Sequence, residues 1–360
     1  MSILEADRAR IAAIDAHILT SLECSDWGLD SLSALQGEQA ALHERLASYK
    51  YPVLTLPNEI ISEFFAHFLP IYPVCPPLTG TFSPTNLTHI CRAWREIAMT
   101  TPELWRAIGF YNEGVRSRHK RYISNLWLSR SGALPLSIDI NEIWVDATKI
   151  LSDFLPHCAR WEYLELAISS PLATIDRPMS LLRHIDLSLA TTPPVFTLPD
   201  APLLRTAILD ADFGVAENVI LPWAQLTSLT LLCVSASDCG PILRRTTNLL
   251  HCELSLFTQG DSEYAGPDVG LPLLESLTLD SPGGRVLGVL STFVVPALRS
   301  LTIEERFLDS VEPIRSLTAF ISKSGCTLRK VHFTGKRIED AEAYREAFPS
   351  TEFSFEFDVY

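Results

Sequence analysis

The sequence predicts an α+β chain, with a small all-helical region followed by an α/β repeat array carrying a parallel sheet on its concave face. Three observations carry that expectation. Apolar residues follow three-four spacing over the first 110 residues, an L-x-x-L-x-L pattern recurs between residues 161 and 333, and no apolar run approaches the ~18 to 20 residues that span a bilayer. The 360 residues exceed what one core ordinarily serves unless repetition extends it.

Residues 1–50 put Leu4, Ile11, Ile14 and Ile18, then Leu32, Leu35, Leu42, Leu46 and Tyr49, on two helical stripes. The turn residues of Cys24 to Asp30 separate them, so the expected element is an antiparallel helical hairpin. A dimeric coiled coil is the other arrangement this pattern allows, but each run holds few heptads.

Residues 51–110 begin with LTLPNEIISEFFAHFL, in which Pro57 suits the first turn of a helix and Glu59 its dipole. Ile60, Ile61, Phe64, Phe65, Phe68 and Leu69 form a stripe wider than one packing seam, leaving an edge free for a partner. An extended proline-rich loop runs from Pro70 to Pro84, where Ser83-Pro84 predicts the cap and first turn of a second helix. That helix carries Leu87, Ile90, Cys91, Trp94, Ile97 and Ala98 on its apolar face. Thr101-Pro102 predicts a third, shorter helix with Leu104 and Trp105. Taken by themselves, both tryptophans suit core packing as well as a partner surface.

The order Leu56-Pro57-x-Glu59-Ile60, Cys91-Arg92-x-Trp94-Arg95-x-Ile97-Ala98 and Pro102-x-Leu104-Trp105 closely resembles the F-box motif. It is most similar to the F-box-like proteins expanded in fungi, although the loop Pro70 to Pro84 is longer than the usual connection between first and second helices. The resemblance covers roughly 50 residues. It implies an F-box-like domain over 51–110 that docks on a Skp-type adaptor and, through it, a cullin. The residues it implies for adaptor contact are Leu56, Pro57, Ile60, Ile61, Phe64, Leu87, Trp94, Leu104 and Trp105. Of the two tryptophans, Trp94 is expected to hold the helices together and Trp105 to face the adaptor.

Residues 111–133 read as a linker helix with Tyr122, Ile123, Leu126 and Trp127 on its apolar face, stopped at Ser131-Gly132. Residues 134–360 contain the array. Leu164, Ile185, Ala207, Leu229, Cys252, Leu277, Leu301 and Val331 lead successive strands at steps of 21, 22, 22, 23, 25, 24 and 30 residues. Leu134 to Ile140 supplies an irregular first strand and Phe353 to Val359 a closing one. This regularity resembles leucine-rich repeats, each a short strand and a return segment. Pro202, Pro222, Pro272 and Pro296 suit irregular returns, with regular helix expected only where the spacing lengthens, near 311–323.

The net charge of −14 argues against nucleic acid as the main partner. The basic run Arg116 to Arg121 suits either a nuclear-import patch or a solvated helix start. Glu5, Asp7, Arg8, Arg10 and Asp15 stand where a secretory signal would be apolar, so an intracellular chain, cytoplasmic or nuclear, with reduced thiols is expected. The eight cysteines show no C-x-x-C spacing, and the sequon at Asn86 is expected to go unused. Neither a nucleophile elbow nor a phosphate loop, a zinc-helix motif or a dinucleotide fingerprint occurs, so no enzyme, cofactor or metal is expected.

Alternation along each strand sends Glu165, Asp186, Ile208, Thr230, Glu253, Thr278, Thr302 and His332 to the outward face, with Asp210, Asp280 and Glu304 beside them. These carboxylates are either ordinary solvated strand residues or a surface for a basic protein substrate. The combined expectation is the substrate-recognition subunit of an SCF-type cullin–RING ubiquitin ligase. The alternative is a repeat-built protein-binding scaffold that engages no ligase.

Overall fold

The computed structural model describes residues 3–23, 29–48, 52–111, 117–142, 147–168, 177–189, 196–198, 200–210, 218–258, 262–282, 284, 286–309, 311–335 and 341–356. The chain divides into two compact units, Met1–Glu63 and Phe64–Tyr360.

In the first unit, α1 (Ile3–Glu23) and α2 (Leu29–Ser48) pair antiparallel. Arg10 Nε meets Glu38 Oε1 at 2.8 Å, while Arg45 reaches back to Asp7. Ile14 and Leu42 supply the buried apolar residues of this pair. The predicted turn at Cys24 to Asp30 lies largely outside the described residues. A short 3-10 turn (Pro52–Thr55) then leads into α3 (Asn58–Phe68). Pro57 stands one position before the helix, its carbonyl accepting from the amides of Ile60 and Ile61.

The second unit is built on an open sheet of 11 parallel strands. These are β1 (Ala107–Phe110), β2 (Leu136–Glu142), β3 (Trp161–Ile168), β4 (His184–Leu189), β6 (Thr206–Asp210), β8 (Ser228–Val234), β9 (His251–Leu256), β12 (Ser276–Asp280), β15 (Ser300–Glu304), β16 (Lys330–Thr334) and β17 (Glu352–Phe355), adjacent in that order. The return segments form short parallel pairs of their own: β5 (Phe196–Thr197) with β7 (Val219–Ile220), β10 (Ser262–Glu263) with β13 (Val286–Leu287), and β11 (Val269–Gly270) with β14 (Phe293–Val294).

Register explains the repeat. Ile108, Ile138, Leu164, Ile185, Ala207, Leu229, Cys252, Leu277, Leu301, Val331 and Phe353 form one continuous buried row. All eight strand-leading residues predicted from the sequence stand in it. Because strand side chains alternate, a slip of one residue would turn this whole row outward, and burying each leucine contributes about 1.5–3 kcal/mol against that. Leu249, three positions before Cys252, is buried as well.

Three further readings change. The predicted boundary at 110/111 falls after the first strand, since β1 pairs with β2. The expected linker helix, α6 (Ser117–Arg130), packs back on this edge through Trp127, whose ring lies 5.6 Å from that of Trp105. Regular return helices also occur outside the longest spacing: Pro313–Ser324 is found where expected, but Ala147–Phe154 and Ala236–Leu243 are helical too. The last three residues of the predicted closing strand, 357–359, lie outside the described residues. No helix among the described residues is long and apolar enough to cross a membrane.

Candidate protein-docking surfaces

Helix α3 divides its apolar stripe between two environments. Ile61 and Phe65 are 2% exposed, whereas Ile60 and Phe64, one residue earlier in each turn, are 47% and 59% exposed. Leu56 and Pro57, just ahead of the helix, are exposed as well. Pairs four residues apart share a helix face, so one seam is buried and its neighbour presents apolar carbon to solvent. Phe65 is fastened in the second unit by Trp94, edge to face at 4.9 Å, and Phe68 lies 5.7 Å from Phe82.

The second predicted helix is two. Ser83 caps α4 (Pro84–Ile90) as expected, its hydroxyl accepting from the Thr85 amide. At Cys91 the backbone is extended, and its thiol takes the Trp94 amide at 3.4 Å to open α5 (Arg92–Met99). The break leaves Ile90 exposed. Thr101 does not cap the following turn; its hydroxyl donates to Ile97 O at 2.8 Å, and Pro102–Trp105 is a 3-10 turn.

Burial corrects four of the nine residues proposed for adaptor contact. Ile61, Leu87, Leu104 and Trp105 are core residues. Trp105 is fully buried, with its indole N–H donating to Ala98 O at 2.8 Å and the Arg130 guanidinium over its ring at 4.7 Å. The roles expected of the tryptophans therefore exchange in part: Trp105 is interior, and Trp94 is the half-buried one. Leu56, Pro57, Ile60 and Phe64 stay on the surface.

The outward face of the sheet carries the other candidates. Register places Gly109, Asp139, Glu165, Asp186, Ile208, Thr230, Glu253, Thr278, Thr302, His332 and Ser354 in one row. Asp139, Glu165 and Asp186 occupy adjacent strands, and among the described residues none of them joins an ion pair. Loss of surrounding water raises the pKa of Asp139, against which a hydrogen bond from the Tyr111 hydroxyl acts. Glu165 is exposed, yet displaced water raises its pKa, and Asp139 and Asp186 on either side raise it further. Asp186 rises by burial first, then through Asp139 and Asp210. Asp210, one strand over, accepts from Ser188 Oγ at 3.4 Å. Three adjacent carboxylates with no ion-pair partner among the described residues concentrate negative potential here, an arrangement that attracts cationic side chains.

No protein-family profile matches the chain, and no curated protein does.

At the other end, Glu304 is spoken for inside the chain, which corrects its assignment to a substrate surface. It is buried, pairs with Arg306, takes the Ser281 amide at 3.5 Å and shares a hydrogen bond with Asp280. Burial holds its pKa up, and Arg306 works against that. Glu253 remains exposed in the outward row. On β16 and β17, His332 Nδ1 lies 2.7 Å from Ser354 Oγ and His332 Nε2 3.3 Å from Glu356. This trio stands on an open strand face, where water competes for every bond, and it ties the last two strands together.

The sequence reading missed Asp139, although Ser-Ile-Asp-Ile (137–140) matches His-Ile-Asp-Leu (184–187) in phase. Tyr72 and Cys75, which reach the same face from the proline-rich loop, carry no periodic signal. The basic run at 116–121 is partly internal: Lys120 is buried against Tyr111 O, and Arg121 pairs with Asp153 at 2.8 Å, while Arg116 lies outside the described residues.

Proposed function

We propose that the chain is a substrate-recognition subunit of an SCF-type ubiquitin ligase, with an F-box-like segment docking on a Skp-type adaptor and leucine-rich repeats binding the substrate. The exposed stripe Leu56, Pro57, Ile60 and Phe64 on and before α3 carries this reading, because it is apolar and solvent-facing at the position where the motif implies contact. The chain supplies no reacting group in this scheme. It raises the local concentration of substrate lysines near a charged conjugating enzyme, so its contribution is proximity. The carboxylates Asp139, Glu165, Asp186, Asp210 and Glu253 favour a basic substrate segment at the outward face.

The test is co-purification with a Skp-type adaptor after Ile60→Asp and Phe64→Asp. Both positions are solvent-facing, so the fold should survive, and each charge placed at a buried apolar contact should weaken capture by at least about 100-fold. Undiminished capture would sink the reading. A chain that binds a basic ligand through its sheet yet ignores the adaptor is a scaffold instead.

A further inference from the structure

Residues 71–75 cross the outward face at its first end, and the way they are fastened sets them apart from the sheet. The loop's backbone hydrogen bonds among the described residues close turns within itself, Val74 N to Ile71 O at 3.1 Å and Ser83 N to Gly80 O at 3.2 Å. Side-chain contacts attach it to the strands. The Tyr72 ring lies under the Arg106 guanidinium at 3.8 Å and edge-on to Tyr163 at 5.5 Å. Its hydroxyl donates to Glu162 Oε2 at 3.0 Å, while Glu162 Oε1 takes Arg183 Nε at 3.1 Å. Ser137 Oγ donates to Pro73 O at 2.7 Å, and the buried Cys75 thiol sits 3.7 Å from Ser137 O. Ile71, just before these anchors, is 89% exposed, and Val74 among them is exposed too.

We infer that Tyr72 is the latch of an opening strap, which covers Ser137, Tyr163 and Glu162 and so shortens the outward face available to a partner. Three physical points support it. Lifting the strap breaks no strand pairing, so its opening lies toward the low-cost end of local unfolding. Most of the anchors converge on one side chain: stacking, cation and charged acceptor all meet Tyr72, and Ser137 holds the rest. The covered residues stand beside Asp139 and Glu165, so release would lengthen the carboxylate-bearing surface by its own neighbours. The latch concerns the sheet face alone and stands whether or not an adaptor is bound.

Cys75 reports the opening, since burial pushes its thiol up to about 12 and the closed strap hides it. The experiment alkylates the native full chain with N-ethylmaleimide and follows each cysteine by peptide mass. Cys158 and Cys252, buried elsewhere, report global unfolding. In the wild type, Cys75 should react faster than Cys252. Tyr72→Phe, which keeps the ring and removes the Glu162 bond, should raise the Cys75 rate roughly threefold, and Tyr72→Ala roughly tenfold or more, with Cys158 and Cys252 unchanged. An unchanged Cys75 rate in Tyr72→Ala overturns the latch. Cys75 reacting in step with Cys252 in the wild type and in Tyr72→Phe also overturns it, and that comparison decides even if Tyr72→Ala fails to fold.

Discussion

The two ends of the outward sheet face share one register and treat charge in opposite ways. On β2 to β4, Asp139, Glu165 and Asp186 stand side by side with pKa values raised by lost hydration and, at Glu165 and Asp186, by their neighbours. On β15 to β17 the carboxylates have partners: Glu304 pairs with Arg306, Lys330 with Glu352 at 3.7 Å, and Glu356 lies at hydrogen-bond distance from His332. Behind that second end, Phe333, Tyr344, Phe353 and Phe355 pack ring against ring. The repeat therefore dictates where side chains point but not whether their charges are compensated. The uncompensated end is the one with attraction to spare for a partner, at some cost to stability.

Four measurements test this contrast. The largest effect is expected from Phe333→Ala, which removes a buried ring from the aromatic group and should cost about 3–5 kcal/mol in urea unfolding. A loss of less than ~1 kcal/mol would mean the second end is not held by that group. Next, Glu304→Ala leaves Arg306 without its partner in a partly buried site and should cost about 1–3 kcal/mol, with a lower melting temperature.

At the first end the sign should reverse. Replacing Asp139, Glu165 and Asp186 by Asn, Gln and Asn relieves like charges on neighbouring strands and should stabilise the fold at neutral pH by about 0.2–1 kcal/mol per relieved pair. A loss of stability there would show that these carboxylates are compensated after all. The smallest effect is in pH dependence. Folded pKa values raised from the unfolded ones mean these groups stabilise the fold fully below the unfolded value, near pH ~4, and that contribution is lost as pH rises through the raised folded values. The wild type should thus lose stability relative to the triple amide variant from about pH 4 upward, read as urea midpoints along a pH series.

Much of the sheet was legible in the sequence. Period-two alternation and steps of 21 to 25 residues located strands β3 to β15, because each apolar position must face the same interior. The strand at Ala107–Phe110 was not legible, since it ends a stretch of helical pattern and only pairing with β2 makes it a strand. Of the docking residues, the stripe on α3 was readable from its width, but which half is covered was not. Ile60 and Ile61 are adjacent, equally apolar and differ only in what packs on them. Trp94 and Trp105 show the same limit: both sit in Trp-Arg pairs, yet the indole of Trp105 finds Ala98 O inside the fold while the indole N–H of Trp94 finds no hydrogen-bond partner among the described residues.

By itself, then, the sequence determined the period of the array, the row each strand residue occupies and the amphipathic helices before it, because these follow from local geometry repeated along the chain. The tertiary structure alone decided the seam of α3 that is buried, the break of the second helix at Cys91, the path of residues 71–75 across the sheet and the pairing of Glu304 with Arg306. The buried seam and the path of residues 71–75 depend on groups far apart in sequence competing for the same space, whereas Cys91 meets the Trp94 amide and Glu304 meets Arg306 within three residues, contacts that only the path of the backbone brings into bonding geometry.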